Sequence, residues 1–556
     1  MKKITFVIAA MLIISLQGMA QAPAWTWATI AYGTDNDYAS SIVTDASGNV
    51  YMTGYYYSYN IHFGSTVLNN NGTVNLFVAK YNSSGTVQWA KGAGGTNVDE
   101  ANSVAVDASG NVYICGTFKS PIITFGSTNL INSSIDSGDI FIAKYDVSGN
   151  VLWAKSAGGT NTDVATAVTT DASGNVYMTG SFNSSVITFG SITLINTGNR
   201  CMFLVKYDSL GNVVWAKSAG GAQQAWATAL SLDAADNIYV AGDYGSADIY
   251  FDTLHLSHFS CLDLFLVKYD SSGMAQWAKS AGTCGLIHPN SLATDASGNI
   301  YLAGSYNYAT IVFDSDTLTN ADNSGTTYDA FLVKYNSIGN VVWAKDAGGT
   351  LDDEANSVAV NSIGNVFLAG DYSSATITFD TATLTGSSYS KIFLVKYDTS
   401  GNVAWAKTSV GTNNDKANSV ATDAIGDIYV TGIFAGTAMS FGAMTLLNII
   451  PNGTTDDIFL AKINSPVTDI QEAIPTNSSV LIYPNPANTI LNIHCQLTID
   501  NCQLMITDVL GNEVYAETLT GIDNSIDIST LSNGIYFYHL TSNKQSQNGK
   551  FVVTKI

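Results

Sequence analysis

Aspartate recurs at one equivalent position in five loops, as Asp37, Asp99, Asp163, Asp353 and Asp415, while two further copies of the loop hold Ala225 and Ile287 there. Carboxylates converging from several loops supply the hard oxygen ligands that a divalent cation such as calcium, or a polar ligand, requires. The alternative is that each Asp caps its own loop by accepting from nearby backbone amides. A second constellation is His255-x-x-His258-x-x-Cys261 followed by Cys284-x-x-x-His288, three of six histidines and two of six cysteines. Three or four of these side chains around one ion would make a zinc site. In an oxidising compartment a Cys261–Cys284 disulfide is the competing expectation, and unlinked side chains are the third. Cys495 and Cys502 flank another short hairpin and carry the same disulfide expectation. Cys115 and Cys201 have no evident mates and are expected to be buried or free. Finally, Tyr55-Tyr56-Tyr57-Ser58-Tyr59 offers rings that could stack on a sugar, although strand alternation sends about half of such a run into a core.

The elements that must position these residues come from an internal repeat. Trp-Ala-Lys recurs at Trp89, Trp153, Trp215, Trp277, Trp343 and Trp405, with a degenerate first copy at Trp27. An Asp-x-x-Gly-Asn turn begins at Asp45, Asp107, Asp171, Asp233, Asp295, Asn361 and Asp423, at spacings of 62, 64, 62, 62, 66 and 62 residues. Phe-x-x-Lys recurs at Phe77, Phe141, Phe203, Phe265, Phe331, Phe393 and Phe459. Within a unit, apolar residues alternate with period two between glycine-bearing turns, which predicts two hairpins, hence four strands. Four strands per unit and seven units predict an all-β, seven-bladed propeller. The first element after the leader is a Trp-Ala strand without its Phe-x-x-Lys partner, and the last is a Phe-x-x-Lys strand without its Trp-Ala-Lys partner. The N-terminal strand is therefore expected to complete the last blade and leave no open sheet edge. The small-residue strand of each unit would lie innermost, and the five aspartates would sit near the axis, on the face of the variable segments.

The units Gly-Asn-Val-Tyr-x-x-Gly, Phe-x-x-Lys-Tyr and Gly-Asn-Val-x-Trp-Ala-Lys resemble the bacterial seven-bladed β-propeller repeat family, over about residues 25 to 463. That resemblance implies a fold and little about activity. The C-terminal part carries Pro484-Asn485-Pro486, Asp508-Val509-Leu510-Gly511, Gly534-Ile535-Tyr536 and Gly549-Lys550-Phe551. In order and spacing it is similar to the C-terminal sorting domain of type IX secretion substrates in Bacteroidota. The resemblance implies that Pro484, Asn485, Pro486, Gly511, Gly534, Tyr536 and Lys550 belong to an export address read by the type IX secretion machinery. It also implies a mature part that is released or held on surface polysaccharide. Independently, the short alternating strands of this segment predict a small β-sandwich.

Lys2 and Lys3 precede an apolar run from Ile4 to Leu16, and Ala20-Gln21-Ala22 offers small residues for cleavage, the pattern of a Sec signal peptide. The expected organisation is a signal peptide at 1–22, the propeller at 23–464, a linker at 465–479 and the sorting domain at 480–556. The expected location is secreted or on the outer cell surface, with no membrane span in the mature chain, which is expected to be a monomer. A net charge of -22 and a single arginine, Arg200, argue against nucleic-acid binding. One arginine cannot build a sialidase-like cluster, and no nucleophile motif or phosphate loop is present. A hydrolase using paired aspartates is the residual catalytic alternative. The expected function is a binding or adhesion module for a surface polysaccharide, glycan, protein or cation, with no cofactor. An inert spacer of the cell envelope is the alternative.

Overall fold

The computed structural model describes residues 22–556 except 136, 258–261, 283–284, 323–324, 387, 451–454, 465–479, 484–486, 496–501, 509–510, 520–522, 542–545 and 556. The leader expected at 1–22 thus lies almost wholly outside the described residues. All described elements of regular structure are β-strands. The chain divides into two compact units, Met1–Ser465 and Pro466–Ile556.

In the first unit one pattern repeats. Asp99–Val106, Val112–Phe118, Asp139–Tyr145 and Val151–Ala157 form a four-stranded antiparallel sheet in chain order. Five further sheets have the same construction, beginning at Asp37, Asp163, Ala225, Ile287 and Asp353. The hairpins form because the Asp-x-x-Gly-Asn turn satisfies itself. Asp107 Oδ1 accepts from the amides of Ser109 and Asn111, its Oδ2 accepts from Asn111 Nδ2 and Tyr113 Oη, and Gly110 takes a φ of 78°. Glycine reaches that left-handed region most readily, and in the Asp233 turn Asp236 takes its place at a φ of 59°. The lysines of Phe-x-x-Lys are structural as well. Lys80, Lys144, Lys206, Lys268, Lys334 and Lys462 lie 4.8–5.3 Å from the ring centroids of Tyr51, Tyr113, Tyr177, Tyr239, Tyr301 and Tyr429.

The strands at the two ends of the first unit meet. Trp25–Tyr32 pairs antiparallel with Asp457–Ile463, with Ala28 opposite Ala461, and adds a fourth strand to Asp415–Thr422, Ile428–Phe434 and Asp457–Ile463. Trp27 then does what the other outer-strand tryptophans do. Trp89, Trp153, Trp215, Trp277 and Trp343 each lie against a turn glycine of the following sheet (Gly149, Gly211, Gly273, Gly339 and Gly401), and Trp27 lies against Gly85 of the first. A Cβ on any of these glycines would fall within about 3 Å of the indole.

Neighbouring sheets are also stitched along their first strands. The register slips by one residue between Ala101 and Ser103, leaving Asn102 as a bulge that turns sideways. Its Nδ2 donates to Ala165 O of the next sheet at 2.8 Å. The same bond recurs from Thr166 to Ala227, Thr228 to Pro289, Asn290 to Ala355, Asn356 to Ala417, and Asn418 to Ala39. Residues of all the first strands line a cavity of about 420 Å³, among them Thr44, Val104, Thr169, Ser231, Thr294, Val360 and Thr422.

Each sheet has one feature that the two-hairpin reading did not contain. The middle segment forms a further two-stranded hairpin, as in Ile122–Phe125 with Thr128–Ile131. Its buried phenylalanine packs on the Phe-x-x-Lys ring, Phe125 on Phe141 at 5.1 Å and Phe63 on Phe77 at 4.9 Å. Strands of four residues are too short to show alternation clearly, so this hairpin leaves little periodic signal in the sequence.

The second unit is two antiparallel sheets facing a shared core. Val480–Tyr483, Ile490–Cys495 and Asp523–Asp527 form one sheet, and Glu513–Leu519, Cys502–Thr507, Gly534–Thr541 and Ser546–Val553 the other. Leu491, Ile493 and Ile526 of the first meet Leu504, Ile506, Leu540, Phe551 and Val553 of the second.

Deleting Trp25–Tyr32 removes a strand whose absence exposes the edge of Asp457–Ile463. The expected outcome is a fall in Tm of more than roughly 10 °C, measured by thermal unfolding, with increased self-association through the bared edge. An unchanged Tm would show that the pairing contributes nothing to stability.

Candidate functional site

The five repeated aspartates do not open onto a shared mouth. All are fully buried. Asp99 Oδ1 accepts from the amides of Lys119 and Ser120, and its Oδ2 accepts from Gly95 N at 2.7 Å and Ser120 Oγ at 2.6 Å. Asp163 with Ser184, Asp353 with Ser374, and Asp37 with Ser58 repeat the lock, each taking the serine hydroxyl at 2.7–2.9 Å. Asp415 differs: Gly436 stands where the serine would be, and Lys391 Nζ lies 3.6 Å from its carboxylate instead. Where the Asp is missing, at Ile287, the serine is replaced too, by Tyr308. The carboxylates are buried because a strand start must satisfy the amides of the loop crossing it, and Asp does so with both oxygens.

Beside three of these locks stands a second buried carboxylate from the preceding sheet. Asp457 adjoins Asp37, Asp139 adjoins Asp163, and Asp329 adjoins Asp353. Asp457 Oδ2, Asp139 Oδ1 and Asp329 Oδ1 are buried without a hydrogen-bond partner. Burial, reinforced by the charge of Asp457, pushes Asp37 up to about 8. Burial likewise pushes Asp457 and Asp329 up to about 7. An unpaired buried charge is costly, and taking up a proton removes the cost.

The variable residues lie one step along the same strand. Between the lock position and a small residue, each first strand carries a side chain that varies among the units, Glu alone occurring twice: Tyr38, Glu100, Val164, Trp226, His288, Glu354 and Lys416, all half-buried. Opposite them on the second strand are Tyr55, Thr117, Ser181, Asp243, Ser305, Asp371 and Ile433. These side chains form three groups. In the first, the rings of Tyr38 and Tyr55 stack at 5.1 Å, Tyr57 stands edge-on to both at 6.3 Å, and Tyr38 Oη donates to Asp456 at 2.8 Å. In the second, Arg200 lies 4.4 Å over Trp226 and its Nε donates to Asn183 Oδ1, while burial pushes Asp243 up to about 7 against the pull of Arg200. In the third, His288 Nε2 is 3.3 Å from Tyr328 Oη, and Lys416 Nζ lies 3.8 Å from both Glu354 and Asp371. Burial lowers the pKa of His288, so its imidazole is neutral at pH 7.

Of the tyrosine run, Tyr56 is fully buried, Tyr55 half-buried, and Tyr57 and Tyr59 are 40% and 73% exposed. Sequence reasoning selected these but missed Tyr38, Trp226, His288 as a neighbour of Glu354, and the Lys416 ion pairs. A column-by-column comparison of the units would have found them, because this column varies between two that scarcely do.

The His/Cys constellation is not gathered among the described residues. His255 sits on a hairpin, bonded to Asp248 at 2.6 Å and stacked on Tyr250, whereas His288 faces Tyr328 on the next sheet. His258, Cys261 and Cys284 lie outside the described residues. Cys495 ends a strand of one sheet of the second unit and Cys502 begins a strand of the other. Cys115 and Cys201 are buried and free. In the second unit, Gly511 takes a φ of 84° in the Asp508–Asn512 turn, and Tyr536 stacks on Phe551 while its Oη donates to Ser532 O. Gly534 pairs with Val553, Lys550 is exposed opposite Phe537, and Pro484, Asn485 and Pro486 lie outside the described residues.

The paired carboxylates make stability pH-dependent. An unfolded Asp titrates near 3.9, so above that pH the folded chain retains protons that the unfolded chain has lost. Their stabilisation is complete below about pH 4 and is lost as pH rises through about 7 to 8. Asp457→Asn keeps an acceptor for the Gly33 amide and copies Asn75, which stands beside Asp99 in the second junction. Its Tm is expected to exceed that of the parent by roughly 3–8 °C near pH 8.5 and to converge near pH 5. Melting curves that stay parallel across this range would contradict the assignment.

Comparison with known proteins places these features. Residues 88–117, which run from a Trp-Ala-Lys strand through the Asp99 lock into the following hairpin, match the β-propeller repeat family. Residues 481–554 match the secretion system C-terminal sorting domain. The chain is 26% identical over 466 residues, 70% of its length and 34% of the relative's, to the uncharacterized WD repeat-containing protein L264 of Acanthamoeba polyphaga mimivirus. It is 33% identical over 108 residues, 19% of its length and 11% of the relative's, to the regulatory protein FlaEY of Caulobacter vibrioides. The chain thus spans about a third or less of the length of these curated relatives. Among solved structures, PorZ, an essential surface component of the type IX secretion system of Porphyromonas gingivalis, is similar at 10% identity and a TM-score of 0.17, covering 95% of this chain and 100% of PorZ. The chain accordingly carries a β-propeller repeat and, at its C-terminus, a type IX secretion sorting domain.

Proposed function

We propose that this chain is a closed seven-bladed propeller, exported by the type IX secretion machinery, that serves as a binding or adhesion module at the cell surface. The sorting domain implies export to the surface or beyond, and no helix of the described residues is long and apolar enough to cross a membrane. In this reading residues 1–22 are a signal peptide, 23–464 the propeller, 465–479 a linker and 480–556 the sorting domain. Closure is supported by the Trp25–Tyr32 pairing, by Trp27 on Gly85, and by the Asn418 bond to Ala39.

The observation that carries the binding reading is the column at Tyr38, Glu100, Val164, Trp226, His288, Glu354 and Lys416. One flanking column is Asp in five of the seven units and the other is Ala in six, yet this half-buried column carries aromatic, acidic, basic and aliphatic side chains. Recognition requires such asymmetry, and a spacer does not. Tyr55, Tyr57 and Tyr59 extend the same surface. The residual catalytic alternative would rest on Glu354 and Asp371, which share Lys416 at 3.8 Å while burial pushes Asp371 up to about 6.

The test is retention of the chain lacking residues 1–22 on immobilised polysaccharides, surface proteins and calcium-loaded matrices. Binding to one of them, weakened about tenfold or more by combined Tyr57→Ala and Trp226→Ala with Tm unchanged, is the expected outcome. Absence of binding to all three classes would leave the spacer reading standing.

A further inference from the structure

The three groups at the strand starts differ in charge, and one is built for a particular ligand chemistry. Tyr38, Tyr55 and Tyr57 form an angled aromatic platform, two rings stacked and one edge-on, and Tyr57 is 40% exposed. Three carboxylates surround it. Asp456 accepts from Tyr38 Oη and also acts electrostatically on Tyr55, Glu100 acts on Tyr55 and Tyr57, and Asp35 acts on Tyr57. Lys119 acts electrostatically on Glu100. The other two groups contain their own cations placed on their own aromatic or acidic groups: Arg200 covers Trp226, and Lys416 pairs with Glu354 and Asp371. Among the described residues, no cation covers the rings of the tyrosine platform.

From this contrast we propose that the Tyr38–Tyr55–Tyr57 platform binds a ligand through an ammonium group, primary or quaternary, seated on the exposed face of Tyr57 with Glu100 as its counter-charge. The proposal deepens the binding reading and rests on it. The physical warrant is complementarity. Aromatic faces carry negative potential that attracts a weakly hydrated cation, and the flanking carboxylates add to it. The same carboxylates, on a chain of net charge -22, repel anionic ligands. A neutral polyol could stack on the same rings and donate its hydroxyls to the carboxylates, but it would lack the net charge attraction that an ammonium group adds. Arg200 on Trp226, 4.4 Å from ring to guanidinium, shows the chain itself using this geometry one group away.

The experiment titrates the chain lacking residues 1–22 with tetramethylammonium and, separately, with neopentyl alcohol, a neutral molecule of the same shape, at constant ionic strength. Binding is followed by ligand-observed NMR. Tetramethylammonium is expected to bind at least about threefold more tightly than the alcohol. That preference should disappear in Tyr57→Ala, survive in Tyr57→Phe, weaken in Glu100→Gln and be untouched in Trp226→Ala. All three positions are at least partly exposed, so each of the four variants is expected to fold, and thermal melts check it. Equal affinity for the two probes, or a preference that persists in Tyr57→Ala, overturns the ammonium assignment. If the macromolecular ligand found by retention is then lost in Trp226→Ala but kept in Tyr57→Ala, the ammonium assignment fails while the binding reading stands. If neither substitution affects that ligand, the ammonium assignment fails and the ligand is bound away from Tyr57 and Trp226.

Discussion

The junction between neighbouring sheets is the constraint from which the rest of the structure follows. A twisted four-stranded sheet has two faces to bury and two edges to protect, and none of these sheets can do either alone. Three contacts recur at the junctions. The outer tryptophan fills the space over the next sheet's turn glycine, and a bulged Asn or Thr donates across to the next first strand. An inner Asp, where present, satisfies the crossing loop. Each bulge bond contributes on the order of 1 kcal/mol, so no single bond matters greatly. Their recurrence, from Asn102 to Ala165 through Asn418 to Ala39, makes the sheets interdependent.

This constraint separates structural from functional residues in an unusual direction. The repeated residues look important and are consumed by the junctions. Asp99 has no oxygen free for a ligand, because four donors already occupy its carboxylate. The residue after it is under no such demand. It starts the strand beside the lock, half-exposed, and nothing in the junction dictates its chemistry. Variation from Tyr38 to Lys416 is therefore where recognition can be written without loosening the assembly. The orphan oxygens of Asp139, Asp329 and Asp457 show that the junction chemistry is itself imperfect, tolerated because protonation relieves the charge.

Much of this architecture was legible in the sequence. The alternation around Val112-Tyr113-Ile114, the glycine of nearly every turn and the matched half-units at Trp25 and Phe459 are local signals, and local signals survive in a single chain. The hairpin at Ile122–Ile131 was hidden because four-residue strands carry too few alternations. The site was harder still. Asp37 to Asp415 stood out by recurring, and recurrence pointed to the junction. Tyr38, Trp226 and Lys416 were passed over because each resembles nothing in the other units. That Ser58, Ser120, Ser184 and Ser374 complete the locks could not be read either, since each lies about twenty residues from its Asp and is reached only through the strand pairing.

The most direct test of this division of labour is a paired alanine scan of the five aspartates at the lock position and of the seven positions that follow the lock position in each unit, scored for Tm and for ligand retention per folded molecule. Substitutions at Asp37, Asp99, Asp163 and Asp353 should lower Tm and leave retention per folded molecule unchanged. Substitutions at Tyr38, Glu100, Trp226, His288 and Lys416 should leave Tm nearly unchanged, with a subset abolishing retention. Retention lost at the locks and indifferent to the variable column would contradict the account.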